Sequence, residues 1–363
     1  MAEPLTPSTA KPLALSRWIW AVAGLVFVMV VVGGATRLTQ SGLSMVRWEP
    51  ISGIIPPLSA SDWNAEFDAY RATPEYLLVN TGMSLSQFKG IFWWEYIHRV
   101  LGRLIGVALV VPLLWFLYRR AVPKGYGKRL TLLAALVGLQ GAIGWWMVAS
   151  GLVDRPDVAH ERLALHLITA LVLLAALVWT ALDLQSLHRG DDRSVWRPSW
   201  LMVSFMVLLF VQFTLGAFTA GLNAGFMFNT WPKMNGAWVP SGLGDLSPWW
   251  SNAVDNLVAV QFLHRWMAVV VAAVSLAVAY RIYRSGQTKL ALMLELVVAT
   301  QFLLGVLTLI NAVPVGLGVA HQGVGALLLA AAVVTTHQSG VTDPNPDVLP
   351  QHRPAAQRLL PNR

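Results

Sequence analysis

Residues 95–99 read Glu-Tyr-Ile-His-Arg, and residues 261–265 read Gln-Phe-Leu-His-Arg. Each segment ends in a histidine–arginine pair and runs straight into a long apolar stretch. Two more histidines, His166 and His321, open apolar stretches of their own. Imidazole can ligate a metal or move a proton near neutral pH, and guanidinium grips a carboxylate through two parallel hydrogen bonds. An ionisable side chain inside an apolar segment is rare and usually functional. Glu95 precedes His98 by three residues and so shares its helix face; the corresponding residue in the other segment is Gln261. A carboxylate can accept a proton at a reacting centre and an amide cannot. Residues 95–99 therefore have the character of a reactive site, and residues 261–265 that of a stable site that holds or passes an electron. The competing reading is that Glu95 simply pairs with Arg99, its i+4 neighbour, or with Arg37.

The elements that must position these residues are membrane spans. The chain has 363 residues, 56% hydrophobic and 12% charged, against about 25% charged in an ordinary soluble domain. Runs of about 20 apolar residues match the thickness of a bilayer core as helices and are too long and unalternating for barrel strands. Eight spans are expected, at 18–38, 92–118, 130–150, 162–182, 200–221, 258–280, 289–311 and 315–336. The fold class is thus all-α integral membrane, as two four-helix bundles. Residues 18–183 form the first bundle and 200–337 the second, joined by a linker at 184–199 and flanked by tails at 1–17 and 338–363. The net charge of +8 sits in short loops such as 119–129, so the positive-inside bias explains it better than nucleic acid does. Both tails and the linker are then cytoplasmic. The chain contains no cysteine, which excludes disulfides, thiolate metal sites and covalent haem attachment. The first 18 residues are not Arg-rich enough for a transit peptide.

A repeat underlies this layout. Residues 33–53 lie over residues 216–236 without a gap, matching Gly33 with Gly216, Thr36 with Thr219, Gly42 with Gly225, Trp48 with Trp231 and Gly53 with Gly236. Gln140 and Gly144 match Gln301 and Gly305. Two halves in the same orientation imply a pseudo-twofold axis along the membrane normal. The long loop 39–91 contains a segment, 61–76, that reads as an amphipathic helix, either lying on the membrane surface or solvated.

The four histidines stand 16 to 21 residues before the inner end of their spans, roughly 24–32 Å from the inner surface. Each half receives two at one depth, from two different helices. Facing imidazoles across a four-helix bundle are the usual arrangement for axial haem ligation. Zinc or copper would want three or four clustered ligands. Each histidine has a small residue four positions on (Gly102, Ala170, Ala268, Gly325), where a flat macrocycle could approach the backbone. Arg37, Arg99, Arg103, Arg162 and Arg265 lie at similar depth and could bind haem propionates, or snorkel to lipid phosphate. His160 falls in an outer loop, and His188, His337 and His352 are expected on the cytoplasmic side, exposed to solvent.

Together "GGATRLTQSGLS", "EYIHRVLGRLIG", "NTWPKMNG", "QFLHRW" and "AHQGVGALL" resemble the haem A synthases of bacterial plasma membranes and the mitochondrial inner membrane, over residues 17 to 337. The resemblance implies oxidation of the C8 methyl of haem O to the formyl of haem A, destined for cytochrome c oxidase. It implies a substrate haem between His98 and His166, with Glu95 in the catalytic motif, and a haem b cofactor held by His264 and His321. It further implies a bacterial inner-membrane location with the haem sites toward the periplasm. The partners implied are haem O, the bilayer, a haem O synthase, oxidase assembly factors, an unidentified electron acceptor and self-association. Lacking cysteine, the chain is similar to the branch shared by proteobacteria and mitochondria. A di-haem b-type electron carrier is the alternative function, but a pure relay gains nothing from the Glu95/Gln261 difference. A transporter would call for Gly/Pro-broken helices near the midplane.

The orientation has a direct check. A Lys124→Cys variant should react with an impermeant maleimide only from the cytoplasmic side; labelling of intact cells from outside would invert the topology.

Overall fold

The computed structural model describes residues 9–49, 52–191, 196–339 and 341–342. His352, most of the 338–363 tail, residues 1–8 and residues 192–195 of the linker lie outside them. Helix α1 spans Pro12–Leu38. Two short helices, α2 (Ala60–Arg71) and α3 (Pro74–Leu78), occupy the first long loop. There follow α4 (Leu85–Tyr118), α5 (Tyr126–Ala149), α6 (His160–Arg189), α7 (Trp200–Gly221), α8 (Leu257–Arg284), α9 (Thr288–Ile310) and α10 (Val315–Gln338). Eight of these are long and apolar enough to cross a membrane, as the hydropathy pattern requires. A two-residue antiparallel pairing of Trp196–Arg197 with Val341–Thr342 ties the linker to the segment after α10.

Helix ends differ from the expected spans where polar residues continue a helix beyond the lipid. Helix α1 begins at Pro12, a residue suited to the first helical turn, and buries Leu15 and Ser16 before the expected start at 18. Helix α4 begins at Leu85 rather than 92, because Ser84 and Gln87 form a capping box that starts the helix well before the apolar run. Helix α6 runs on to Arg189 and ends at Gly190 in the left-handed conformation.

Within the first half, α1 packs on α4 and α6, and α5 packs on α4 and α6. Within the other, α7 packs on α8, α8 on α9 and α9 on α10. The halves meet along α1–α10, α6–α7 and α6–α10. Exchanging the first four spans for the last four carries α1–α10 onto α6–α7 and leaves α6 against α10 on the axis. Helix α10 contributes Ala326, Leu329 and Val333 to the core shared with α1, α4, α5 and α6. Its other face gives Leu328 and Ala332 to the core with α7, α8 and α9. Helical spacing of three or four residues separates the members of each set, so one helix serves two cores. The large apolar side chains left outside, such as Val107, Val111 and Leu114 on α4, suit contact with lipid.

The loop helix α2 is amphipathic, with one face packed on the protein and the other exposed. Ser59 and Asp62 form a capping box at its start. Trp63, Phe67 and Tyr70, on one face, pack with Phe88 and Phe92 of the α4 extension and with Met45. This aromatic cluster is a small core of its own, capping the first half only.

His337 corrects the expectation of solvent exposure. It is 1% exposed, with Nε2 2.8 Å from Asp183 Oδ1, while Arg129 pairs the other carboxylate oxygen at 2.6 Å. The α6 and α10 ends pack together beyond the apolar run, and the opposite charges satisfy one another there. His188 is exposed.

Since the cap rests on aromatic packing, Phe67→Ala should loosen it by about 3–5 kcal/mol. Limited proteolysis should then cut within residues 52–84 well before any cut in the spans; unchanged protection of this segment would contradict the packing.

Candidate functional site

Each of the four span histidines rests against a glycine of the preceding span. A Cβ on Gly33 would lie 3.1 Å from His98 Cε1, on Gly144 3.0 Å from His166 Cε1, on Gly216 3.0 Å from His264 Cε1, and on Gly305 2.9 Å from His321 Cε1. Such approaches are tighter than ordinary side-chain packing allows, so a hydrogen at these four positions is what lets the rings press onto the neighbouring helix. The arrangement is repeated across α1–α4, α5–α6, α7–α8 and α9–α10. His98 and His166 lie within electrostatic reach of one another, and so do His264 and His321. Gln140 Nε2 lies 3.2 Å from His166 Nδ1, and Gln301 Nε2 lies 3.4 Å from His321 Nε2. His98, His264 and His321 each keep a buried Nδ1 with no hydrogen-bond partner.

Two of the residues four positions on also have neighbours from other spans. Gly102 faces Met29 of α1, and Gly325 faces Gln301 and Phe213. Both admit a protein side chain, so they bring spans together.

The arginine after His98 and the one after His264 each pin the loop that follows the first helix of their half. Arg99 donates to the carbonyls of Met45 and Arg47 at 2.7 and 3.0 Å. Arg265 donates to those of Phe228 and Thr230 at 2.5 and 2.7 Å. Met45 matches Phe228 and Arg47 matches Thr230 in the repeat. The loops also turn alike: Gln40 and Asn223, at matched positions just past α1 and α7, both have positive φ, 51° and 56°. Arg37 reaches across the halves to the carbonyl of Ala220, its own repeat counterpart, at 2.9 Å, and to Asn223 Oδ1 at 3.0 Å. Arg103 donates to Glu49 O, and Arg162 donates to Trp146 O while stacking over that indole. All five arginines thus spend donors on backbone carbonyls near the helix ends and loops; Arg37 and Arg265 each retain a buried Nε without a partner.

Glu95 is 3% exposed. It pairs with Arg99 at 2.6 Å and not with Arg37. Its other oxygen accepts from Ser44 Oγ at 2.7 Å and from the Met45 amide at 2.8 Å. Gln261, in the other half, instead donates to the carbonyl of Phe228 at 3.2 Å. The same scaffold therefore holds a charge in one half and a neutral amide in the other. The glycine seats and Ser44 are features of the site that the pattern does not single out; the repeat-matched Gly33/Gly216 and Gly144/Gly305 pairs are the signal for the seats. His160, expected in a loop, opens α6 and is buried beside Phe218, with Nε2 3.1 Å from Asp255 Oδ1 of the other half.

Fold and site together define a multi-pass membrane protein with two histidine pairs in duplicated settings. The family model described as cytochrome oxidase assembly protein matches residues 16–333, and the chain belongs to that family. It is 49% identical over 340 residues to a protein named heme A synthase from Sphingopyxis alaskensis, covering 93% of this chain and 96% of that protein. It is 47% identical to a heme A synthase of Rhizorhabdus wittichii, over 93% of this chain and 97% of that protein. A heme A synthase of Bradyrhizobium diazoefficiens is 46% identical, over 94% of this chain and 96% of that protein.

The seats predict a sharp contrast. Gly305→Ala pushes a methyl into His321 and should destabilise by about 1–3 kcal/mol. Gly24→Ala, with nothing within 4 Å, should be neutral or slightly stabilising. Thermal denaturation in detergent measures both; equal behaviour would remove the claim that the rings rest on backbone.

Proposed function

We propose that this chain is a haem A synthase, an enzyme that oxidises the C8 methyl of haem O to the formyl of haem A. The observation that carries the reading is the Glu95/Gln261 difference, a single exchange of carboxylate for amide within two otherwise matching sites. The relatives' names supply the reaction, and the residues supply the division of labour.

In this reading His98 and His166 flank haem O as substrate, and His264 and His321 hold haem b. The residues suit the group: each half presents two half-buried imidazoles from different helices, three of the four rings keep a buried, unpartnered nitrogen, and the glycine seats hold each ring from one side. When bound, haem b supplies a one-electron relay. The protein's own contribution is positional. Glycines and the Gln140 amide orient the rings. Arg99 and Arg265 hold the outer loops down over the sites. Glu95, fixed by Ser44, Met45 and Arg99, places a negative charge one helical turn from His98, where it can stabilise positive charge that develops at the substrate methyl. Arg37, Arg99, Arg103, Arg162 and Arg265 put positive charge at the mouths, where propionates would lie, with the free Nε–H groups of Arg37 and Arg265 the most available donors.

The two groups of four spans then act as separate haem-holding bundles, substrate in residues 18–183 and cofactor in 200–337. The protein sits in the bacterial inner membrane with both termini cytoplasmic and both sites toward the periplasm. It receives haem O from its synthase and delivers haem A to oxidase assembly.

Glu95→Gln should fold and keep both haems, because the other half already builds the same loop clamp around a glutamine. It should lose haem A formation by about 10²-fold or more, measured by extracting and separating haems A, O and B. Full haem A output would refute the catalytic role. His264→Ala or His321→Ala should deplete haem b; a normal haem b content would refute that ligand pair.

A further inference from the structure

The proposed reaction releases protons, and Glu95 has no free lone pair turned toward them. Converting a methyl and one water into a formyl sets free four protons and four electrons. The electrons leave with the acceptor that this oxidation already requires; the protons need a base. Both oxygens of Glu95 are engaged, by Arg99 on one side and by Ser44 and Met45 on the other. Taking a proton there would break a bond that holds the loop.

Another carboxylate lacks that constraint. Glu75 lies on α3, in the cap over the first half, and is 5% exposed. The Tyr70 hydroxyl hydrogen-bonds it and itself accepts from Asn80 Nδ2 at 2.7 Å. Its Oε2 is buried with no hydrogen-bond partner. The charged and titratable groups around it come from every neighbouring element: Tyr70 of α2, Tyr76 of α3, Arg37 of α1, Glu95 of α4 and Asp157 of the α5–α6 loop. Arg37 Nε, also buried, lacks a partner as well. Burial pushes the Glu75 carboxyl up to about 7, helped by Glu95 and Asp157 and opposed by Tyr70 and Arg37. A base in that range is half ionised near neutral pH, the condition for efficient proton transfer. The loop over the other half offers no counterpart among the described residues: its acids, Asp245 and Asp255, are exposed.

We propose that Glu75 is the proton acceptor of the first half, an inference that rests on the function argued above. A water between the site and Glu75 gives a proton to Oε2 as it receives one from the reacting group. An O–H bond forms on the carboxylate while the water's own breaks. The proton then passes to outer solvent and the carboxylate is restored. Glu75 acts through water and is a relay, not a group in contact with the substrate.

The test follows haem A formation from haem O by the full-length protein in membranes, from about pH 5.5 to 9, across the range where such a base titrates. The wild-type rate should fall as pH drops through about 7, because protonated Glu75 cannot accept. Glu75→Gln should lower the rate about 10²-fold and abolish that acidic limb. Glu75→Asp should keep the limb and recover most of the rate. Tyr70→Phe removes a bond that favours the ionised form, so it should move the limb to higher pH; a purely structural role would not. A Glu75→Gln protein with wild-type rate and limb overturns the proposal. So does slowing in all three variants with the limb unmoved. If the wild type forms no haem A from haem O, the functional reading falls and this proposal falls with it.

Discussion

The structure depends on four places where an imidazole lies directly on the backbone of a neighbouring helix. At each, a glycine removes the side chain that would otherwise hold the ring away. Close packing leaves no slack for a methyl there. The contact fixes both the spacing of the two helices and the direction of the ring, so the histidine pairs of each half are set by helix packing and not by loops. Histidines on flexible segments could find a metal only by ordering themselves on binding; these are ordered beforehand.

Another recurring device ties a loop to the helix that carries the histidine. An arginine one residue past the histidine takes the two carbonyls of a turn that follows the first helix of its half, and it does so at matched positions in both halves. A guanidinium with five donors in a fixed plane suits this task better than lysine would. The histidine–arginine pair thus has two directions: inward for the imidazole, outward for the guanidinium. Against this shared frame the differences between the halves stand out. One half has Glu95 where the other has Gln261, and it alone carries an aromatic cap with the buried carboxylate of Glu75. Both departures add negative charge to the same half.

Much of this was legible in the residues. Apolar runs of span length located all eight crossing helices, because partition between water and lipid depends on run length and composition more than on neighbours. The repeat could be read from the ungapped match of 33–53 with 216–236, and each of the four histidines lies in one of the predicted spans or at its start. What eluded reading was contact through space. Helical spacing does not show that Gly102 has Met29 beside it, or Gly325 Gln301 and Phe213. By its place after an apolar run His337 should have met solvent, yet it is buried, with Nε2 2.8 Å from Asp183, 154 positions away.

The amino-acid sequence alone determined that this is a helical membrane protein, built twice, with paired imidazoles and one unmatched carboxylate. Those are local properties: run length, residue type and spacing along one helix. Only the tertiary structure decided which glycine each histidine touches, which carbonyls each arginine takes, that Glu95 is saturated, and that Glu75 is not. Most of these contacts join residues tens to hundreds of positions apart. Hydrogen-bond satisfaction and steric exclusion act at distances of about 3 Å, and no pattern along the chain measures those distances.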